Sequence, residues 1–210
     1  MPSAALKAWR DAVAEPRFRI HAVLTIIALV VVLASLAQFL GANESRSGVI
    51  LHDPVLALFK PIDVTWLTFT LIYGGLFSAI YFLASNPKRL LLAIQGYVVL
   101  VLIRMISMSL VPLEPPPTMI SLKDPFVEFF GGMTKTLDKD LFFSGHTSTL
   151  FLLFLMTVKR IPKMVFLVCT LAVAVCVVLQ HAHYAIDVYA AFFFSYGTYR
   201  LVVRANGEQT

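Results

Sequence analysis

The stretch Ile20-His-Ala-Val-Leu-Thr-Ile-Ile-Ala-Leu-Val-Val-Val-Leu-Ala-Ser-Leu-Ala-Gln-Phe-Leu40 decides the class of fold. It contains no Asp, Glu, Lys or Arg. A helix rises about 1.5 Å per residue and a bilayer's hydrocarbon core is about 30 Å thick, so about 20 such residues cross it. Five further runs have comparable length and character: Val64–Ala84, Leu90–Val111, Leu141–Val158, Pro162–Gln180 and Tyr184–Val203. In lipid every backbone amide must be satisfied within its own segment, so these runs predict helices. The expected architecture is all-α, an integral membrane bundle of six transmembrane helices forming one domain over residues 1–210. The fourth and sixth runs differ from the rest in carrying polar residues in their first turns.

Composition agrees. Of 210 residues, 59% are hydrophobic and 14% charged, and the mean hydropathy is +0.82. Such a chain has too little polar surface for a water-soluble globule. The net charge of +5 is no argument for a nucleic-acid partner, because the basic residues flank the apolar runs. Cys169 and Cys176 lie two helical turns apart in one run, too far for a disulfide and without metal-ligand company. Ahead of the first run, Leu6, Trp9 and Val13 share a helical face, which predicts a short interfacial helix within residues 1–19. The first run also resembles a signal peptide, with Ala34-Ser-Leu-Ala37 as a small-residue cleavage site, but its length favours an anchor that stays.

Charge placement sets the orientation. Lys7, Arg10, Arg17, Arg19, Lys88, Arg89, Lys159, Arg160, Lys163, Arg200 and Arg204 share one side of a six-span chain. By the positive-inside rule that side, with both termini, is cytosolic. Two longer segments, 41–63 and 112–140, are then exoplasmic loops. Val49–Phe59 is expected to form a surface helix in the first, whereas Pro112, Pro115, Pro116, Pro117 and Pro125 break up the second.

Polar residues at membrane depth are costly and therefore functional candidates. Here they gather at one level. Ser144-Gly145-His146-Thr147 opens the fourth run, His181, His183 and Asp187 open the sixth, and Arg104 lies about 12 Å below the outer end of the third. His183 and Asp187 are four apart, so on a helix the carboxylate reaches one ring nitrogen and leaves the other as nucleophile or base. Ser144-Gly145 at a helix start offers amides and the positive end of a dipole to a phosphate. His146, with an ordinary pKa near ~6.5, is suited to protonate a leaving oxygen. Arg104 is suited to clamp phosphoryl oxygens with its planar fork. Together these describe phosphoryl transfer through a phosphohistidine, with no metal and no other cofactor.

Plainer roles compete with each assignment. Ser144 is an ordinary helix cap, His183 and Asp187 a satisfied pair, and Arg104 a bridge between helices or a head-group binder. His181 is expected to face water at the interface. Only the joint occurrence of the three segments at one level favours catalysis.

The stretches Asp140-Leu-Phe-Phe-Ser-Gly-His-Thr147 and His181-Ala-His-Tyr-Ala-Ile-Asp-Val188 resemble the paired signature motifs of sphingomyelin synthases, a branch of the type-2 phosphatidic acid phosphatase superfamily. Pro61-Ile-Asp63, Arg104-Met105 and Pro112-Leu-Glu-Pro115 are weaker matches. The resemblance implies six spans, an exoplasmic site, His183 as nucleophile, Asp187 as its support and His146 as acid and base. Asp140, His181 and Tyr184 are candidate supports beside them, and Tyr97, Tyr184, Phe142 and Phe143 are candidates to stack on a cationic head-group. The simple phosphatases carry a Lys-x6-Arg-Pro motif and an arginine where this chain has Val177; it has no Arg-Pro at all, which points to the synthase branch. The implied partners are the bilayer, a membrane phospholipid donor and a lipid alcohol acceptor, ceramide-like or diacylglycerol. A lipid phosphate phosphatase or phospholipase C-like hydrolase with the same residues is the alternative, and a non-reacting lipid transporter a third reading. The spare loops imply a bacterial inner membrane.

Overall fold

The computed structural model describes residues 2–123 and 137–207. Within them the protein is all-helical: α1 (Pro2–Ala14), α2 (Pro16–Asn43), α3 (Thr65–Leu83), α4 (Pro87–Leu110), α5 (Gly145–Met156), α6 (Arg160–Leu179) and α7 (Ala185–Ala205). Local chemistry explains several boundaries. Pro16 and Pro87 open α2 and α4, where a missing amide proton costs nothing. Asn86 caps α4 by accepting from the Arg89 amide at 3.2 Å.

Four of these helices, α2, α3, α4 and α6, are long and apolar enough to cross a membrane. In the most apolar window of α2 only 11% of residues are buried against protein, and Val23, Leu24, Ile27, Val30 and Val31 all stand open. Such a helix is stable only in lipid, and the chain is an integral membrane protein.

The other two expected spans are helical but differ from the run lengths. The fourth covers Gly145–Met156 rather than Leu141–Val158. Its 12 residues rise about 18 Å. It is short because Leu141–Ser144 turn inward to meet α4 and α7 instead of extending the helix. The sixth, α7, has 21 residues, but Asp187, Ser195, Thr198, Arg200 and Arg204 dilute its apolar character.

α5 is central, packing on α4, α6 and α7 and touching α3. α2 lies against α4, and α3 against α6. Phe143, Leu152, Met156, Phe166 and Ala191 form the fully buried heart of the bundle, where Phe143 stacks on Phe194 at 4.7 Å. At the basic end, α1 leans on the α3–α4 connection through Trp9 Nε1, which donates to the Ala84 carbonyl at 2.7 Å. The helix expected within residues 1–19 is thus present.

At the opposite end three connections knit into a cap. Val49 and Leu113 form an isolated parallel bridge. The Glu114 carboxylate accepts from the Gly48 amide at 2.9 Å and pairs with Lys139 at 2.8 Å. Gln180, fully buried, donates to Thr65 Oγ1 at 2.7 Å and accepts from the Val64 amide. The surface helix expected over Val49–Phe59 does not form. Only Leu56–Leu58 makes a 3-10 turn, because Val49 is drawn into the bridge and Asp53 turns back to hold the Val55 and Leu56 amides. The loop expected over 112–140 falls partly at 124–136, Pro125 included, outside the described residues.

Two groups are expected to make this cap acid-sensitive. Lys139 and the Gly48 amide hold the Glu114 carboxyl below its ordinary value near 4.5. Burial pushes the His181 imidazole below its ordinary value of 6.5, against a smaller opposing effect of Asp53. Both folded values lie below the unfolded ones, so both contributions are present at high pH and are lost as pH falls. In detergent, the thermal midpoint is expected to drop below about pH 6.5 and again below about pH 4.5. Glu114→Gln should shrink the lower step and leave the upper one, the remainder of the lower step belonging to Asp63, whose carboxyl the Thr65 amide and hydroxyl also hold low. An unchanged profile in that variant would contradict the assignment.

Candidate active site

His183 is positioned by the way α6 ends. The chain leaves α6 at Gln180, and His181 takes a left-handed conformation with φ of 54°. The His181 amide then donates to Val178 O at 3.0 Å and the Ala182 amide to Val177 O at 2.9 Å. These are the two bonds of a Schellman motif, with histidine at the position glycine usually fills. His181 therefore does not face water, contrary to expectation: it is 2% exposed. Its Nδ1 lies 2.6 Å from Thr118 Oγ1, and its ring meets Phe59 edge-on. The cap has folded over it, and it supports the turn from beneath.

The turn delivers His183 to the start of α7. His183 Nδ1 lies 3.2 Å from Asp187 Oδ2. A carboxylate only accepts, so in the neutral ring the proton sits on Nδ1 and Nε2 keeps its lone pair. The same Oδ2 accepts the Tyr184 amide at 3.1 Å, and Asp53 Oδ2 accepts the Ala185 amide at 2.6 Å. Two of the first amides of α7 are thus taken by carboxylates, which also suit the positive end of the helix. Asp187 is fully buried, and its Oδ1 has no hydrogen-bond partner among the described residues.

The second motif joins the first through the backbone. Ser144 N donates to Asp187 O at 3.2 Å, which sets the start of α5 beside the start of α7. Ser144 itself is fully buried and its hydroxyl donates to Thr147 Oγ1 at 3.1 Å. What this helix start offers a phosphate is therefore its amides and its dipole, not the serine hydroxyl.

Arg104 reaches the same place from α4 and is 6% exposed. Its Nε donates to Phe143 O at 2.8 Å, and its Nη2 pairs with Asp140. Two anchors on one planar fork fix its plane. The guanidinium lies flat on Gly145: a Cβ there would stand 2.8 Å from Arg104 Cζ and 2.9 Å from Nη1. Glycine is required here for close approach. Gly145→Ala should push the guanidinium aside and lower turnover about 100-fold, since a shift of about 1 Å has that effect. The check is kcat beside a melting temperature; a fall in stability with kcat retained would contradict it.

Asp140, Arg104, Gly145, Ser144, Asp187 and His183 therefore form one continuous chain of contacts. His146, one residue on from Gly145, turns toward α3, its ring edge-on to Phe69 at 5.8 Å. Tyr184 is a brace: 1% exposed, its hydroxyl donates to Glu114 O at 3.0 Å and accepts the Leu51 amide at 3.2 Å. Tyr184 and Phe143 are thus both packed into the protein rather than open to a head-group. Sequence reasoning missed Asp53 and Gln180. For Gln180 a signal existed, a polar residue ending an apolar run; for Asp53 there was none, because its partner Ala185 is distant in sequence.

A search of curated proteins finds no match to the chain. Residues 139–204 match the family model described as PAP2 superfamily C-terminal, about a third of the chain, and this match, which contains every motif residue from Asp140 to Asp187, supports the type-2 phosphatidic acid phosphatase superfamily.

Proposed function

We propose that the protein is a membrane lipid phosphotransferase of the sphingomyelin synthase type. It moves a phospho-head-group from a glycerophospholipid to a lipid alcohol, ceramide-like or diacylglycerol, through a phosphohistidine. In this reading the chain crosses the bilayer six times with both termini cytosolic, in a bacterial inner membrane, and works on the exoplasmic face. The observation that carries the proposal is the buried pair of His183 Nδ1 and Asp187 Oδ2 at 3.2 Å, fastened through Asp187 O to the helix start at Ser144.

The donor phosphate rests against the first turn of α5 and the Arg104 fork. His183 Nε2 attacks phosphorus, the bond to the diacylglycerol oxygen breaks, and His146 gives that oxygen its proton. The acceptor hydroxyl then returns a proton to His146 while its oxygen attacks phosphorus. The P–N bond breaks and both histidines are regenerated. Fixed donors and an arginine suit this chemistry, because phosphoryl transition states need charge stabilisation and alignment above all.

Burial supports transfer over hydrolysis. His183 is 4% exposed and Asp187 is fully buried, and a reactive intermediate kept dry waits for a lipid alcohol rather than water. The test is mass spectrometry of products from purified protein given phospholipid, with and without ceramide or diacylglycerol. The expected result is a new phospholipid only when the alcohol is present. Head-group phosphate released at the same rate without an acceptor would make it a hydrolase. No turnover and no acid-labile phosphate on the protein would make it a non-reacting lipid binder.

A further inference from the structure

Between α2, α3, α4 and α5 lies a cavity of about 470 Å³. Its lining is hydrocarbon except for Tyr97, Thr149 and His146. The Thr149 hydroxyl is turned back onto its own helix, donating to Gly145 O at 2.8 Å. His146 marks one end, in the same first turn of α5 that holds the proposed phosphate seat. From there the cavity follows α3 from Ile72 to Leu83, eleven steps or about 16 Å along the helix axis. Leu83, itself buried, and Leu90 line the far end, and the buried alanines Ala79 and Ala93 line the way to it.

The cavity has a side opening. α2 packs on α4, α3 packs on α6, and α2 and α3 touch each other at most glancingly. Leu33, Leu76 and Ile80 on the two flanking helices are 41%, 40% and 51% exposed, and so face the bilayer at the mouth. A dry apolar slot open to lipid fills with hydrocarbon, since water would find almost no polar partner there. Its volume spread over its length leaves ample width for an extended hydrocarbon chain.

We propose that this slot holds one hydrocarbon tail of the reacting lipid and, through its closed end, selects the length of that tail. The proposal deepens the functional reading above and rests on it for the identity of the lipid. With the phosphate ester at the start of α5, the tail descends past His146 between α3 and α4. Leu83 and Leu90 end its path, and the small side chains of Ala79 and Ala93 leave it room to reach them.

Two variants and one label test this. Ala93→Leu shortens the slot. Each buried methylene is worth about fourfold in binding, so kcat/KM for a long tail relative to one two carbons shorter should fall roughly fifteenfold. Ile80→Trp blocks the mouth from an exposed position that folding does not depend on, and should lower kcat/KM for all tails. Val168→Trp, on the lipid-facing side of α6 and 61% exposed at Val168, is the control and should change nothing. Varying the donor's tail and the acceptor's tail separately tells which lipid the slot reads.

The label needs no turnover. A phospholipid, and separately a ceramide or diacylglycerol, carries a photoactivatable group in mid-tail; adducts are expected at Leu76, Ile80, Ile94 or Leu153. Adducts from one lipid alone support the proposal and name the source. Turnover with an unaltered length preference in Ala93→Leu and adducts scattered over α2 and α6 would overturn the slot while the functional reading stands. Adducts in the slot without any phosphoryl transfer would support the slot and overturn the reading.

Discussion

His183→Gln is expected to abolish product formation, lowering kcat by about four orders of magnitude or more, as loss of a covalent nucleophile does elsewhere. The protein should still fold. Glutamine keeps a polar group near Asp187, and the turn that carries position 183 is held by backbone bonds from Ala182 and His183 to Val177 O. Substrate binding should survive, since the proposed phosphate seat lies on α5 and Arg104 and not on His183. The decisive measurement pairs single-turnover kinetics with acid-labile phosphate on the protein after reaction with donor alone. Wild type should carry the label and the variant none. Product formed by His183→Gln at an undiminished rate would remove the phosphohistidine from the mechanism altogether.

Asp187→Asn should have the second largest effect, a fall in kcat of about three to four orders of magnitude with a much smaller change in KM. An amide presents either an oxygen or an NH2 group to Nδ1. At this site the backbone amide of Tyr184 also needs an acceptor, at 3.1 Å from Oδ2. An amide oxygen serving both donors keeps the geometry but loses the charge that stabilises the imidazolium. An NH2 group facing Nδ1 forces the proton to Nε2 and blocks attack. Measuring kcat and KM across donor concentrations separates this from a binding role. Loss of affinity at unchanged turnover would contradict it. Because Asp187 is fully buried and also caps α7, a lower melting temperature is expected as well, and the kinetics must be taken on folded protein.

Much of this site was legible in the letters. The His183–Asp187 pair follows from a spacing of four on a helix, and the structure places the two side chains in contact. Arg104 stood out because an arginine inside an apolar run has to be accounted for. What it contacts was not legible. Its partners Phe143 O and Asp140 come from a segment that was read as the beginning of a long span. A run of apolar letters predicts burial in something, and Leu141 and Phe143 are buried in protein rather than in lipid. Hydropathy alone does not tell these apart. His181 illustrates the same limit, since a polar residue at a helix end faces water unless distant loops close over it.

The sequence by itself determined that the chain lives in a bilayer, that it is helical there, and at which level its polar residues gather. Those properties depend on local quantities: transfer of side chains to lipid, hydrogen bonding within a helix, and the helical repeat. Only the tertiary structure decided which groups meet. Asp53 caps α7, Ser144 N holds Asp187 O, Gly145 lies under Arg104, and His146 looks into an apolar slot. Each of these contacts joins segments far apart along the chain, and each depends on how short α5 is and how its neighbours pack around it, which no window of neighbouring residues encodes.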